Sequence, residues 1–421
     1  MSDARLRVAI NASFWGQETA GSGQYLHHLV EALAGLDEDL ELVLCGPVGL
    51  ESPTHGRVGQ AFQPVGSRTG GGPVGLESPT HGRVGQAGEP LARVTWHSVP
   101  ASGRRRLGEN VEKVWFEQVA FPRAVRAVGA TVAHVPYFAS PLLPAQPTVV
   151  TVHDLIPLVL PGYRTSALVR GYMRLVAAAA RRADLVLTDA EASVGDIVRC
   201  LGVAAERVRA IPLAVTPGYH PITDGEALAA LRVRHSLPDR YLLYLGGFDQ
   251  RRNLGTLFRA LAEARRREPG LPPVVLAGAL PAGDSAFAPD PRRLAAEAGA
   301  AAGVRFLGRV PEEDKPLLYS GALAFLFPSR YEGFGLPVLE ALACGAPAAV
   351  ASATTLPEVA GPGALLIDPD DVAGWAEALV RLATDEVLRG RLRDAGLAHA
   401  ARFSWARTAR ETLAAYRAVV A

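Results

Sequence analysis

The sequence predicts an α/β protein built from two doubly wound domains. Short apolar, β-branched runs alternate with amphipathic helical patterns along most of the chain. The runs are too uniformly apolar for a sheet with one face in water, and such strands lie in a parallel sheet covered by helices. A length of 421 residues exceeds one ordinary core, so two domains of roughly 200 residues each are expected.

The strand candidates fall into two series along the chain. The first series is RVAINASF, LELVLCG, ATVAHVPYF, PTVVTVHD and ADLVLTDA. After VRAIPLAVTPGYHP the pattern restarts with RYLLYLGG, PPVVLAG, VRFLGRV, ALAFLFPS, APAAVAS and ALLIDP. We therefore predict one domain over residues 1–215 and a second over residues 216–400.

The last segment, FSWARTARETLAAYRAVVA, predicts a helix with an apolar stripe. Trp405, Leu413, Tyr416 and Val420 recur mostly at steps of three and four residues. A stripe of this kind needs a packing partner.

Charge and cysteine usage narrow the class of protein. The 43 basic and 42 acidic side chains give a formal net charge of +1, so no overall field attracts nucleic acid or anionic lipid. Cys45, Cys200 and Cys344 lie far apart without metal-ligand or redox spacing, which suits a reducing cytosol. The opening segment has no signal-peptide pattern, and no uncharged apolar run reaches the roughly 18 residues of a spanning helix. These features predict a cytoplasmic globular protein. If it binds a polyanion, it does so at a local site rather than through its overall charge.

One segment is duplicated. GPVGLESPTHGRVGQA occurs at residues 46–61 and again at residues 72–87. Solenoid units recur at least three times and carry an apolar stripe, whereas this segment is rich in turn-forming residues. It predicts a surface loop after the second strand.

The stretch SRYEGFGLPVLEALACGAP predicts a helix start with a carboxylate on each side. Gly333, Gly335 and Pro337 interrupt a continuous helix, which places Glu332 in a loop and Glu340 in the first turn of a helix starting at Pro337. Free backbone N–H groups and the helix dipole at such a start can receive a phosphate. Each carboxylate can accept two vicinal hydroxyls, so the two could hold both ends of a nucleotide sugar across its diphosphate. The alternative is that Glu340 complements the helix dipole and Glu332 is solvated.

Together with its surroundings, this stretch resembles the retaining GT-B glycosyltransferases of family 4. The further segments that carry the resemblance are AGSGQYLHHLVEAL, WFEQVAFPRAVRAVGATVAHVPYF, VVTVHDLIPLVLP, ADLVLTDAEAS, LYLGGFDQRRNLGTLFRAL, VRFLGRVPEEDKPLLYSGALAFLFPS and TTLPEVAGPGALLIDPDD. The resemblance covers nearly the whole chain except the duplicated loop. It implies two Rossmann-like domains facing a cleft. The first domain would take the acceptor, the second would bind the nucleotide sugar, and residues 401–421 would form a helix crossing back to the first.

The resemblance also implies roles for residues of the second domain. Glu332 matches the glutamate near the transferred sugar, and Glu340 matches the glutamate on the nucleoside ribose. Phe334 and Gly335 match the backbone that receives the diphosphate.

In the first domain, Gly21 and Gly23 match the loop that faces the donor phosphate. His153 matches the histidine near the reacting carbon. Its alternative is a satisfied buried histidine.

Two positions depart from the family pattern. Arg252 stands where the family usually has lysine, and Gly247 stands where some members carry a further arginine. Those side chains normally neutralise the departing diphosphate. Arg251 and Arg252 still offer cationic donors for phosphate oxygens, unless they form an exposed helix start. We predict His153, Glu332 and Arg252 as catalytic residues.

The implied chemistry is hexosyl transfer with retention at the anomeric carbon. No carboxylate is placed as a covalent nucleophile, unlike in glycosidases; the leaving diphosphate would help to deprotonate the acceptor hydroxyl. No cofactor and no metal are expected, because the string Asp368-Pro369-Asp370 is better placed to cap a helix beginning near Val372. The stretch EGFGLPVLEALACGAP most resembles that of mannosyltransferase members of the family, which favours GDP-mannose as donor, with UDP-glucose and UDP-N-acetylglucosamine left open. The acceptor would be a glycan, a lipid-linked hydroxyl or a small-molecule hydroxyl.

Two other functions remain open at this point. The departures at Arg252 and Gly247 fit a nucleotide-sugar-binding protein with weak or lost turnover. AGSGQYL mimics part of the dinucleotide fingerprint of an NAD-dependent oxidoreductase, although Leu26 replaces its third glycine. The basic run at residues 103–106 fits a solvated loop, or a contact with lipid phosphate or an anionic membrane surface.

Overall fold

The computed structural model describes residues 6–17, 21–36, 39–48, 93–100, 109–163 and 167–421. Most of the duplicated segment, from residue 49 to residue 87, lies outside these ranges. The basic run at residues 103–106 also lies outside them. No helix within the described ranges is both long and apolar enough to cross a bilayer.

Within the described residues, seven parallel strands form the first sheet, in the spatial order β3-β2-β1-β4-β5-β6-β7. The strands are β1 Leu6–Asn11, β2 Leu40–Pro47, β3 Val94–Val99, β4 Val132–Val135, β5 Thr148–Thr151, β6 Leu185–Thr188 and β7 Val208–Ala210. Its helices are α1 Gly21–Ala34, α2 Glu109–Trp115, α3 Phe121–Ala127, α4 Ile156–Val159, α5 Ala167–Ala180 and α6 Glu191–Leu201.

The second sheet has six parallel strands, all within the described range 167–421, in the order β10-β9-β8-β11-β12-β13. The strands are β8 Leu242–Leu245, β9 Val274–Ala277, β10 Val304–Gly308, β11 Ala324–Phe327, β12 Ala348–Ala351 and β13 Ala364–Ile367. The helices that follow α6 are α7 Gly225–Arg234, α8 Leu254–Arg267, α9 Pro291–Glu297, α10 Lys315–Gly321, α11 Leu336–Ala343, α12 Leu356–Ala360, α13 Val372–Thr384, α14 Glu386–Ala400 and α15 Trp405–Ala418.

The two sheets share one topology. In each, the first three strands run outward in one direction and the later strands, four in the first sheet and three in the second, run outward in the other, so the order reverses between β1 and β4 and between β8 and β11. This is the order of a doubly wound dinucleotide-binding fold, in which ligands bind beyond the carboxyl ends of the strands at the reversal. The predicted fold class is confirmed.

The strands are buried on both faces, as their composition predicts. Every residue of β8 (LLYL), β11 (AFLF) and β12 (AAVA) is buried. Helices therefore cover both sides of the sheet, and the apolar runs need no polar alternation.

The last helix packs on the first domain. The ring of Trp405, at the start of α15, lies 5.0 Å from the ring of His28 in α1. The hydroxyl of Thr408 donates to the carbonyl of Pro212 at 2.7 Å. Leu413 is 3% exposed and Tyr416 is fully buried. Three members of the predicted stripe thus lie in the helix that contacts the first domain, whereas Val420 lies beyond its end and is 45% exposed.

A buried hydrogen-bonded chain fastens α15 to the first sheet. Tyr416 Oη lies 2.7 Å from Nδ1 of His134, and Nε2 of His134 lies 2.9 Å from the hydroxyl of Thr151. The hydroxyl of Thr151 in turn lies 3.3 Å from Oη of Tyr25. Burial lowers the pKa of His134 to about 3, so the ring is neutral and pairs one donor and one acceptor with its two neighbours.

We expect Tyr416→Phe to destabilise the protein by about 1–3 kcal/mol, because it leaves a buried nitrogen of His134 without a partner. Since the lost bond joins the last helix to the first domain, we also expect calorimetry to resolve separate transitions for the two domains. Tyr241→Phe is the matched control, because Tyr241 donates to the carbonyl of Leu318 within the second domain at 2.8 Å. Equal behaviour of the two variants would show that α15 does not couple the domains.

Candidate functional site

The predicted charged residues lie at the strand-order reversal of the second sheet. Arg251 and Arg252 follow β8, and Glu332 follows β11. The two strands are paired, with Ala324 opposite Leu242. The loops that follow them therefore begin side by side at one edge of the sheet.

Glu332 forms ion pairs with both arginines. Its Oε2 lies 2.7 Å from Nη1 of Arg251, and its Oε1 pairs with Nη1 of Arg252. Asp249 adds a second carboxylate, 3.2 Å from Nε of Arg251 and 3.7 Å from Nε of Arg252. Glu332 is only 8% exposed, and a buried carboxylate needs such partners. Two cations and two anions thus hold one another in place.

The arginines are also fixed by neighbouring groups. Arg251 donates to the carbonyl of Tyr331 at 3.1 Å, and the guanidinium of Arg252 lies 5.2 Å from the centre of the Phe327 ring. Burial alone would lower the pKa of Arg251, but the charges of Glu332 and Asp249 outweigh it and raise that pKa. Nε of Arg252 is buried and makes no hydrogen bond to any described residue.

Gly247 lies on the same loop, where some family members have arginine. Its carbonyl accepts a hydrogen bond from the hydroxyl of Tyr244. Among the described residues, a Cβ atom at this position would meet only Oδ2 of Asp249, at 3.5 Å. The backbone there leaves room for a side chain that this sequence lacks.

The glycine-rich loop ends in a tight helix start. Gly335 precedes α11 with a φ of +107°, a conformation that glycine adopts without strain. The helix starts at Leu336, one residue before the predicted start at Pro337. Glu340 therefore lies in the second turn rather than the first, and that part of the prediction is wrong because the left-handed glycine allows the helix to begin earlier.

Phe334 is held on both its side chain and its backbone. The side chain is 5% exposed, and its ring centre lies 6.0 Å from that of Phe403. The hydroxyl of Thr355 donates to its carbonyl at 2.8 Å. The loop backbone between Glu332 and Gly335 is thus fixed.

Glu340 has different surroundings from Glu332. The hydroxyl of Tyr319 donates to its Oε2 at 2.9 Å. Burial raises the pKa of Glu340 to about 7, although the charge of Lys315 and the Tyr319 hydrogen bond oppose the rise. The two glutamates of the motif therefore occupy separate electrostatic environments.

His153 follows β5 and is held at both ring nitrogens. Nδ1 lies 2.9 Å from a carboxylate oxygen of Asp189, and Nε2 lies 3.2 Å from the carbonyl of Pro136. Burial lowers the pKa of His153, but the charge and hydrogen bond of Asp189 outweigh it, and the net shift is upward. A protonated ring donates to both acceptors, so it is oriented rather than available as a base.

The backbone of His153 meets the glycine-rich loop of the second domain. A Cβ atom on Gly333 would lie 2.0 Å from the carbonyl oxygen of His153. Only glycine permits this approach. The structure therefore brings the predicted His153 and Glu332 segments together.

Gly21 and Gly23 lie in the first turn of α1. No described atom would lie within 4 Å of a Cβ atom on Gly21, whereas a Cβ atom on Gly23 would lie 2.2 Å from the carbonyl oxygen of Gln17. Two residues on, the ring of Tyr25 lies edge-on to that of His153, with centres 4.6 Å apart. The start of α1 thus lies on the His153 side of the cleft.

Side chains that the sequence analysis did not single out also join the domains across the cleft. The hydroxyl of Tyr331 donates to Asp196 at 2.9 Å, and the hydroxyl of Tyr163 donates to Asp249. Asp189 and Asp249 each follow a strand-like run, so the sequence could have predicted their positions at the carboxyl edge of a sheet. The tyrosine–aspartate pairs join segments that lie far apart in the sequence, and no local pattern predicts them.

The carboxylate that caps α13 does not belong to the string Asp368-Pro369-Asp370. The helix begins at Val372 as expected, but the capping carboxylate is that of Asp371, which accepts from the backbone N–H of Gly374 at 2.9 Å. Asp370 instead pairs with Arg330. Among the described residues, no group of three His, Cys, Asp or Glu side chains could hold a metal ion.

We expect Glu340→Gln to change the pH dependence of stability. Because the pKa of Glu340 is raised from 4.5 to about 7 on folding, the folded state binds this proton more tightly, and stability falls as pH rises through that interval. The variant should lack this loss and gain about 1–3 kcal/mol relative to the parent between pH 5 and pH 8. Urea titrations across this range measure it, with Glu377→Gln as control, since that side chain is 66% exposed. Parallel profiles would show that Glu340 is ionised in the fold throughout.

Comparisons with known protein families cover both halves of the chain. Residues 20–214 match the model of the glycosyl transferase 4-like domain, and residues 232–399 match that of the glycosyl transferases group 1. O-antigen chain mannosyltransferase B of Escherichia coli is 34% identical over 274 residues, which cover 64% of this chain and 70% of that protein. The D-inositol 3-phosphate glycosyltransferase of Stackebrandtia nassauensis is 37% identical over 247 residues, 55% of each chain.

Solved structures show the same fold. Sucrose-phosphate synthase from Thermosynechococcus elongatus superposes with a TM-score of 0.67 at 23% identity, over 99% of both chains. Anabaena HepE in complex with UDP and glucose gives a TM-score of 0.67 at 16% identity, over 98% of this chain and 100% of that one. At these identities the likeness concerns the fold alone.

Both halves of the chain match glycosyltransferase models, so the oxidoreductase alternative has no support. The two parallel sheets match those of the structural neighbours, and the charged site lies where such sheets bind ligands. The chain therefore belongs to the family 4 glycosyltransferases with the GT-B fold.

Proposed function

We propose that the chain is a retaining hexosyltransferase that moves a sugar from a nucleoside diphosphate sugar to an acceptor hydroxyl. GDP-mannose is the preferred donor in this proposal, because O-antigen chain mannosyltransferase B is 34% identical to this chain over the aligned residues. The acceptor would be a glycan, a lipid-linked hydroxyl or a small molecule, as in the synthesis of a polysaccharide or glycoconjugate.

The observation that carries this proposal is the paired guanidinium site. Arg251 and Arg252 lie side by side at the carboxyl edge of the second sheet, and each contacts Glu332. They also directly precede α8, whose N-terminus adds partial positive charge. Planar, permanently charged donors suit the oxygens of a diphosphate. With these guanidinium donors supplied by the protein, we propose no cofactor and no metal.

The proposed reaction depends on which group can accept the proton of the acceptor hydroxyl. The bond between the anomeric carbon and the diphosphate oxygen breaks, and a bond to the acceptor oxygen forms on the same face of the sugar. Both ring nitrogens of His153 are held by protein acceptors. The proton of the acceptor hydroxyl therefore passes to the departing diphosphate, whose charge Arg251 and Arg252 stabilise.

In this mechanism His153 positions the donor and Glu332 contacts the transferred sugar. Glu332 also keeps the two guanidiniums apart and oriented through one carboxylate oxygen each. Gly21, Gly23, Phe334 and Gly335 supply backbone around the phosphates. Glu340 binds the ribose.

The second candidate function is a nucleotide-sugar-binding protein with weak turnover. It is favoured by Arg252 in place of lysine and by Gly247 in place of arginine, since both changes alter the charge near the leaving group. Both candidate functions require binding of the same donor, but only the first requires transfer of its sugar to an acceptor.

We expect a panel of nucleotide sugars to separate these functions. A true donor at about 100 times its dissociation constant adds roughly 2.7 kcal/mol to the stability of the folded state. Thermal shift with GDP-mannose, UDP-glucose and UDP-N-acetylglucosamine, followed by assays of nucleoside diphosphate release, measures binding and turnover separately. Stabilisation by GDP-mannose with release above background supports the transferase. Stabilisation without release supports the binding protein, and no stabilisation by any donor contradicts both.

We expect substitutions of Glu340 and Glu332 to impair different properties, binding in one case and turnover in the other. Glu340→Ala should weaken the binding of the nucleoside diphosphate alone by about tenfold, because it removes a carboxylate acceptor for two hydroxyls. Glu332→Ala should leave that affinity within a few-fold and lower kcat by about 100-fold or more. Isothermal titration with GDP and UDP, together with steady-state rates, tests the division. Equal losses of affinity in both variants would remove it.

A further inference from the structure

Helix α6 of the first domain begins without a cap of its own. Ala190 occupies the N-cap position in an extended conformation and has no side-chain acceptor. The first N–H groups of a helix need acceptors, which are usually supplied by Ser, Thr, Asp or Asn at this position. The amides of Glu191 and Ala192 instead donate to the two carboxylate oxygens of Glu358, each at 3.1 Å. Since Glu358 lies in α12, a carboxylate of the second domain caps a helix of the first.

The capped end of α6 lies beside the site. It follows Asp189 directly, and Asp189 holds the ring of His153. One turn further, the hydroxyl of Ser193 donates to the carbonyl of Gly333 at 3.4 Å. The start of α6 is therefore in contact with both the histidine and the glycine-rich loop.

The segment that carries Glu358 also holds this loop. The hydroxyl of Thr354 accepts from the amide of Glu332 at 3.1 Å, and the hydroxyl of Thr355 donates to the carbonyl of Phe334 at 2.8 Å. Thr354 has a φ of +51°, which a β-branched residue rarely adopts. Such a conformation persists only where the surroundings enforce it, and it is common at functional sites.

Glu358 is itself anchored from behind. Nε2 of His399, in α14, lies 3.2 Å from the carbonyl oxygen of Glu358. A Cβ atom on Gly361 would lie 2.5 Å from the same histidine ring, so the turn after α12 is closely packed. The carboxylate therefore extends toward α6 from a fixed backbone.

We propose that Glu358 is a positioning residue that couples closure of the cleft to assembly of the site. The carboxylate caps α6 only when the domains are closed, because the carboxylate and the two amides that it accepts from belong to different domains. Its charge interacts favourably with the N-terminal dipole of α6. Closure therefore brings the Asp189–His153 pair against the loop of Glu332, and separation of the domains returns both the amides and the carboxylate to water.

The coupling is tested by closure and by turnover in separate measurements. Spin labels at Arg126→Cys and Val387→Cys, in a Cys200→Ser background, report the distance between the domains with and without GDP or UDP. Cys45 and Cys344 are buried and remain. We expect Glu358→Ala to broaden the distance distribution and lower kcat by about tenfold, while the affinity for GDP or UDP stays within about twofold.

A second substitution separates closure from simple helix capping. Ala190→Ser gives α6 an N-cap within its own domain. In the Glu358→Ala background it should restore stability but neither the distance distribution nor kcat. Glu377→Ala, at an exposed glutamate of α13, is the control and should behave like the parent.

Two results would overturn the proposal. Full recovery of kcat by Ala190→Ser would show that Glu358 serves only to stabilise α6. A distance distribution for Glu358→Ala identical to that of the parent would show that the cap does not stabilise the closed arrangement of the domains. The distance measurement needs no turnover, so it remains decisive even if the proposed transfer reaction is wrong.

Discussion

The mutual neutralisation of Glu332 by Arg251 and Arg252 is the constraint on which the site depends. A carboxylate that is only 8% exposed is costly without partners, and both partners come from the loop after the neighbouring strand. Pairing β8 with β11 therefore places the charges, and the charges in turn fix the loops. The result is a pair of guanidinium groups held in a fixed orientation before any diphosphate arrives, as electrostatic catalysis requires.

The two domains meet through specific polar contacts rather than through the charged site alone. Gly333 lies against the carbonyl of His153, Tyr331 donates to Asp196, and Glu358 caps α6. Each contact joins a residue near the second-domain loop to one near the histidine. The histidine side and the arginine side of the cleft are thus positioned relative to each other by several weak bonds, which suits a cleft that must open to release product.

The strand pattern was sufficient to predict the fold class, whereas Arg251 and Arg252 were singled out through the resemblance to family 4 glycosyltransferases. Uniformly apolar runs such as LLYL have one favourable environment, a parallel sheet covered on both faces. The start of α11 was misplaced by one residue, because a left-handed Gly335 cannot be distinguished by sequence from a loop glycine. Glu358 was missed since it lies 166 residues from Ala192, and local patterns contain no information about partners at that distance. The roles assigned to all of the predicted catalytic and donor-binding residues stay predictions.

The buried contact between Tyr416 and His134 has a consequence for the order of folding during synthesis. The first domain is made first, yet the partner of its buried histidine lies 282 positions later in the chain. Until α15 has been translated, the face of α1 that this helix covers stays exposed to water, and His134 lacks one of its hydrogen bonds. Domains usually fold as they are made, from the N-terminus onward. Here the first domain cannot complete its contacts at α1 and His134 until α15 has been made.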